Sequence, residues 1–404
     1  MFGKKKINWL FVGLLSISLL PVLPFFFIGV SVFIFLVFSI INCYSKHHKK
    51  ESHSSFNLLL IQISFFLILF GTSIYFDGLI PSTNYLQSSF SLLLFPIIWL
   101  VDKKSFITNK ERNVILQTFT IASFILGVYL LLFSLYFSIN NKTEFQFLFA
   151  EVPFLGIHPN YVSVFFLMAI IYLLFEYKTS NLTKHYCKLF MSVFFGILIF
   201  SYAARSAIII LVVILFIELI LKKKQTILRK TITFMLLIII SISSIIFIKP
   251  LHKKVKELSS REYYELPYKK YPTSFQIRLG LYDCSLPIIK ENWTFGKGVV
   301  SFENATNQCY SKFNNVEEIK YNSHNYYLFL LGSGGVFCLL SFFCMLFWHL
   351  TRSIKYQDYT YLYFILVISI TMLTEDFLSR IYGVVFTMFF LTIFIKNKRK
   401  HIEE

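Results

Sequence analysis

Three side chains combine a reactive type with a suggestive setting: Arg205 in SYAARSAIII, Arg278 in FQIRLGLYD, and His324 in YNSHNYYLFLLGSGG. An imidazole, with a reference pKa of about 6.5, can take a proton from a hydroxyl at neutral pH. A guanidinium is a planar fork of donors that fits phosphate oxygens bidentately, and two of them can hold a diphosphate without a metal. Plainer readings stand beside these. His324 can be the neighbour of a helix cap, with Ser323 or Asn325 doing the capping. Arg205 can snorkel to an interface, although at membrane depth an arginine that is neither hydrated nor paired is costly. His158 and Asn160 in GIHPNYVSVFF, and Glu375 with Asp376 in TEDFLSR, are weaker candidates for which helix capping is the default. Asp283, Glu291 and Glu303 are scattered, so no metal site is expected. The Gly296 and Gly298 pair of FGKGV lies outside any strand-to-helix unit, which makes it poor evidence for a nucleotide.

These residues have to be positioned by membrane helices. The 404-residue chain is 56% hydrophobic and 15% charged, against about 25% charged for a soluble domain. Apolar runs long enough for a bilayer follow one another, and they predict twelve spans, near 7–23, 24–44, 56–76, 84–101, 113–137, 159–177, 186–202, 205–221, 231–248, 325–347, 359–375 and 378–395. The net charge of +18 is topological: 24 of the 39 Lys and Arg fall in alternate connections, while the short intervening ones hold Lys142, Arg205 and Arg380. The positive-inside rule then puts both termini in the cytoplasm and Arg205, Arg278 and His324 together on the external side. Charge scattered over loops in this way argues against a nucleic-acid surface. The basic, apolar N-terminus lacks a small-residue cleavage site before a soluble segment and is read as a retained first helix.

One connection differs from the rest: residues 249–323, 75 residues between the ninth and tenth spans. A loop of that length is expected to be functional. From Lys249 to Arg278 it carries eight Lys or Arg against three Glu, an excess suited to anionic headgroups or phosphates. The periodicity of FQIRLGLYDCSLPII predicts an amphipathic helix interrupted at Pro287. Cys284 and Cys309 share this external loop, where an oxidising compartment favours a disulfide between them. The expected organisation is thus helices one to nine over 1–248, the loop 249–323, three helices over 324–395, and a cytoplasmic tail 396–404.

In order and spacing these segments resemble the O-antigen ligase and polymerase superfamily. Its members show an arginine at the external start of a middle helix, an R-L-x-x-W-like segment followed by N-P-x-x-G-x-G in a large loop, then H-N-x-x-L-x-x-L-x-x-x-G-x-x-G. The counterparts here are Arg205, RLGLY from Arg278, NWTFGKG from Asn292 to Gly298, and His324, Asn325, Leu328, Leu331 and Gly335. Tyr282 stands for the Trp, Trp293 for the Pro and Cys338 for the last Gly. The resemblance implies a GT-C-like, all-α polytopic protein of the bacterial inner membrane. Its implied activity is inverting, metal- and cofactor-free transfer of a glycan from an undecaprenyl-diphosphate carrier to an acceptor hydroxyl, lipid A-core in a ligase, on the periplasmic face. By the same resemblance His324, Arg205 and Arg278 are catalytic, and Asn325, His158, Asn160 and Tyr282 bind substrate. A polymerase joining carrier-linked repeats and a protein O-oligosaccharyltransferase would use the same machinery. Twelve helices with internal termini also describe a transporter, but the chain has neither an internal repeat nor mid-membrane ionisable residues that such folds favour.

Overall fold

A computed structural model of the chain describes residues 8–45, 54–102, 106–141, 152–202, 204–221, 274–314 and 321–397. Its elements are α1 (Trp9–Ser18), α2 (Phe25–Ser45), α3 (Ser54–Asp77), α4 (Leu79–Leu86), α5 (Ser91–Val101), α6 (Asn109–Asn141), α7 (Pro159–Ile171), α8 (Leu182–Ser201) and α9 (Arg205–Leu221). After these come α10 (Ser274–Asn292), α11 (Val299–Asn314), α12 (Tyr326–Lys355), α13 (Tyr359–Thr371) and α14 (Ile381–Ile395). Among the described residues there is no strand, only two isolated bridges. Among the described residues seven helical stretches are long and apolar enough to cross a membrane, and three shorter apolar ones, Trp9–Val22, Tyr359–Thr371 and Ile381–Ile395, accompany them. Over the described residues the chain is all-helical, as a polytopic membrane protein is expected to be. The expected ninth span, 231–248, and the basic first part of the large loop, 249–273, lie outside the described residues.

Three expectations are corrected. The span placed at 84–101 is built from α4 and α5 and begins at Leu79. The span placed at 359–375 ends at Thr371, so Glu375 and Asp376 sit in the connection beyond it. Pro287 does not interrupt the amphipathic helix: α10 runs through it to Asn292. A proline inside a helix loses one hydrogen bond and costs about 3 kcal/mol. Here the helix is pinned on both sides of the defect, by a Cys284–Cys309 disulfide to α11 and by the docking of residues 293–298 described below. Closing a loop of 25 residues restricts the unfolded chain by about 3 kcal/mol.

The core forms around α7, α13 and α14. Every residue of α14 from Tyr382 to Ile395 and of α7 from Tyr161 to Ile171 is buried, as expected of helices apolar on all sides. Phe119, Phe364, Phe386, Phe389, Phe390 and Phe394 interlock there in stacked, tilted and edge-on pairs. Outer helices turn apolar side chains outward instead, Phe25, Phe26 and Phe33 on α2 among them, the surface a bilayer requires. At one end of the bundle Arg112 binds Asp358 at 2.9 Å and Glu176 at 2.7 Å, its guanidinium lying 4.9 Å above the Phe394 ring. A π turn at the end of α7, Tyr172–Glu176, brings Glu176 to that point.

At the other end the α10–α11 pair packs on α12, α3 and α4. Its attachment is a backbone joint. α12 is kinked at Gly335 (φ 74°), and this frees helical carbonyls. Lys297 N donates to Gly332 O at 2.9 Å, Gly298 N to Ser333 O at 3.0 Å, and Val336 N to Trp293 O at 2.8 Å. The glycine pair of FGKG and the glycines of GSGG are therefore two halves of one contact. Asp77 at the end of α3 then accepts from Val300 N and Ser301 N, both at 2.9 Å, and caps α11.

A methyl group at position 335 would lie 2.2 Å from Thr294 O, on a backbone whose positive φ alone costs about 1–3 kcal/mol for other residues. Gly335→Ala is expected to lower the melting temperature in detergent and to release the α10–α11 pair to protease. Gly71→Ala, with nothing within 4 Å of the added carbon, should do neither; equal melting of the two variants would remove the joint from this account.

Candidate functional site

The site is built on the connection between α13 and α14. α13 stops at Thr371, and backbone bonds from Thr374 N and Glu375 N to Thr371 O turn the chain. Glu375 is thereby directed into the bundle, 5% exposed. Three elements meet its carboxylate. From the head of α7, Asn160 Nδ2 donates to Oε1. From α10, Arg278 Nη2 lies 3.0 Å from the same oxygen and also donates to Thr374 O at 3.3 Å. From the entry to α12, His324 Nδ1 stands 3.6 Å from Oε2. The stacking of Tyr161 on Phe377, with centroids 4.8 Å apart, holds α7 to the turn.

Asp376 does a different job. Ser323 Oγ donates to its carboxylate at 2.8 Å and His324 N at 3.2 Å, so it grips the backbone that leads into α12. On the other side Tyr282 Oη donates to His324 O at 3.4 Å. His324 has φ 49°, a left-handed conformation uncommon outside glycine. Such strain persists only where the surroundings over-determine it, and it gathers at functional sites. Immediately after it, Asn325 caps α12, its Oδ1 accepting from Tyr327 N at 3.1 Å and Leu328 N at 3.2 Å.

Electrostatics separate the two carboxylates. Burial alone would raise the Glu375 pKa, but His324, Arg278 and His158 beside it hold the carboxyl below its usual range. Burial dominates at Asp376 and, with Glu375 adjacent, raises it to about 6 against the pull of Ser323 and His324. Glu375 is thus an anion among cationic and neutral donors, while Asp376 is a carboxyl that takes up protons in weakly acidic conditions. The arrangement can orient an imidazole, present a guanidinium to an anion, and keep both at a half-open surface: the His324 and Arg278 side chains are each 22% exposed.

Of the residues singled out from the sequence, the structure gathers His158, Asn160, Arg278, Tyr282, His324 and Asn325 here. His158 is indeed a cap, its Nδ1 accepting from Asn160 N at 3.4 Å, and Asn325 is a cap as well. Arg205 heads α9, which packs on α7 and α13; it is half-buried and is not among the ties to Glu375 described above. The default reading of Glu375 and Asp376 as helix caps is corrected: the side chain of neither caps a helix, and together they organise the site. A signal was present, since two adjacent acids in a chain with 21 acids against 39 Lys and Arg face the side where buried cations need partners. Among the described residues no group of three or more His, Cys, Asp or Glu gathers as metal ligands would.

No curated protein matches the chain. Residues 190–343 match the family model described as O-Antigen ligase, a stretch that contains Arg205, Arg278, Tyr282 and His324 and ends before Glu375. The match over residues 190–343 makes this stretch of the membrane protein similar to the O-antigen ligase superfamily and supports an O-antigen ligase/polymerase-like function.

Proposed function

We propose that this protein is a ligase-type glycosyltransferase, moving a glycan from an undecaprenyl-diphosphate carrier to an acceptor hydroxyl, lipid A-core or another glycan, at the periplasmic face of a bacterial inner membrane. The observation that carries the reading is the meeting of His324 and Arg278 on one buried carboxylate, a base and an anion-binding group within a single site. His324 Nδ1 faces Glu375, which leaves Nε2 for the acceptor. In the reaction His324 Nε2 takes the acceptor hydroxyl proton as the acceptor oxygen attacks the anomeric carbon. The bond from that carbon to the phosphate oxygen breaks, and its electron pair leaves with the diphosphate. Attack opposite the leaving group inverts the configuration. Arg278 stabilises the charge that develops on the diphosphate, and Arg205, at the head of α9, is assigned the same role; such preorganised stabilisation is commonly the largest catalytic contribution. The prenyl chain would lie against the exposed apolar helix faces.

The decisive assay is transfer in vitro, with purified protein, carrier-linked glycan, and either lipid A-core or a second carrier-linked glycan as acceptor, products being read by mass spectrometry. Product on lipid A-core supports the ligase; product only on the carrier reassigns the protein as a polymerase. His324→Ala is expected to abolish transfer while melting and insertion stay as in the wild type, a loss of about 10²- to 10⁴-fold for a general base; wild-type turnover would remove His324 from the mechanism. Arg278→Lys should be severely impaired because a point charge does not reproduce the bidentate fork, and normal activity there would reduce Arg278 to simple charge attraction. Transfer should persist in EDTA; inhibition reversed by added divalent metal would overturn the metal-free scheme.

A further inference from the structure

Glu375 is divided between the two groups to which the transfer reading gives the chemistry, Arg278 and His324. Oε1 holds Arg278 at 3.0 Å together with Asn160, whereas Oε2 is 3.6 Å from His324 Nδ1, beyond the 2.7–3.2 Å of a formed hydrogen bond. Asp376 cannot take over either task, because its oxygens are occupied by Ser323 Oγ and His324 N. The other titratable groups around this carboxylate are His158 and Asp376, with Tyr161 and Tyr282 nearby.

We infer that Glu375 couples donor binding to acceptor activation: a carrier diphosphate draws Arg278 off Glu375, and the released carboxylate closes on His324 Nδ1. The inference rests on the transfer reading above and adds an order to it. A diphosphate offers more negative charge and more oxygens than one carboxylate, and it reaches a guanidinium that is 22% exposed. Once Arg278 turns to the donor, Glu375 keeps Asn160 and needs a new partner for its charge. His324 Nδ1 is the adjacent donor, and the gap to be closed is under about 1 Å by hydrogen-bond geometry. With Nδ1–H bound to Glu375, the tautomer is set and the Nε2 lone pair points to the acceptor, the orienting role a carboxylate plays for a catalytic imidazole. Before the donor arrives the imidazole lacks that bond. Donor therefore binds before acceptor is activated, and Glu375 is a positioning residue that acts through His324.

The test uses the full chain in nanodiscs and two separate measurements: equilibrium binding of undecaprenyl diphosphate without acceptor, and steady-state transfer. In Glu375→Gln, binding should be undiminished or tighter, since no anion competes for Arg278, while kcat falls at least about tenfold. Equal losses of binding and kcat, or an unchanged kcat, would overturn the coupling. If the Gln variant is not monodisperse, Glu375→Asp decides by the same split, because it keeps the charge and is one methylene too short to serve both partners. Arg278→Gln distinguishes the two levels of argument. If it leaves undecaprenyl diphosphate binding intact, the phosphate-binding reading itself fails; if it weakens binding and the Glu375 variants show no split, only the coupling fails.

Discussion

A carboxylate buried at the end of an apolar helix bundle has to be met by donors, because removing an ion from water costs several kcal/mol that only good partners return. Glu375 imposes that requirement on this protein. Its partners come from α7 and α10, 215 and 97 residues away along the chain, and His324 approaches from the start of α12. Satisfying one side chain thus closes one end of the bundle. The opposite end follows the same rule with the charges exchanged, Arg112 being met by Asp358 and Glu176. Between the helices the described interior is dense with phenylalanine, and buried side-chain hydrogen bonds such as Trp99 to Thr392 and His349 to Gln62 add to its packing.

Adjacent acids acquire opposite characters from this arrangement. Glu375 has cationic neighbours and stays ionised in spite of its burial. Asp376, one residue on, has neutral and backbone donors and the charge of Glu375 beside it, and its pKa rises to about 6. One carboxyl therefore meets the side chains of Arg278 and His324, while the other holds the strained backbone at His324. Two like charges so close rarely ionise alike, and the difference in partners decides which one yields.

Placing Arg278 depends on a second constraint, the close approach of two backbones. Residues 293–298 bond directly to the kink of α12, and any side chain at Gly335 or Gly296 would collide with the opposing main chain. With the Cys284–Cys309 disulfide joining α10 to α11, this joint fixes the helix on which Arg278 and Tyr282, four residues apart, face the same way. Leu281 and Cys284, to one side of that pair, pack in a cluster with Tyr310 of α11.

Much of this was legible in the residues. Eleven of the twelve expected apolar runs coincide with described helices, seven helical stretches among the described residues being long and apolar enough to cross a membrane, and the expected ninth run lies outside the described residues. His324, His158 and Asn160 were visible as polar residues at helix edges and Arg278 as a cation on an amphipathic loop segment, and the shared compartment of Cys284 and Cys309 pointed to their pairing. Local pattern misread Pro287, since helix propensity carries no information about the ties that hold α10 through the defect. It also misread Glu375 and Asp376, because an acid at a turn looks the same whether it caps a helix or accepts bonds from distant parts of the chain. Sequence by itself determined the membrane class and the candidate reactive groups, which depend on side-chain type and on spacing along one helix. Only the tertiary structure decided that Glu375 joins Arg278 to His324, because that contact arises from burying one charge among elements far apart in the chain.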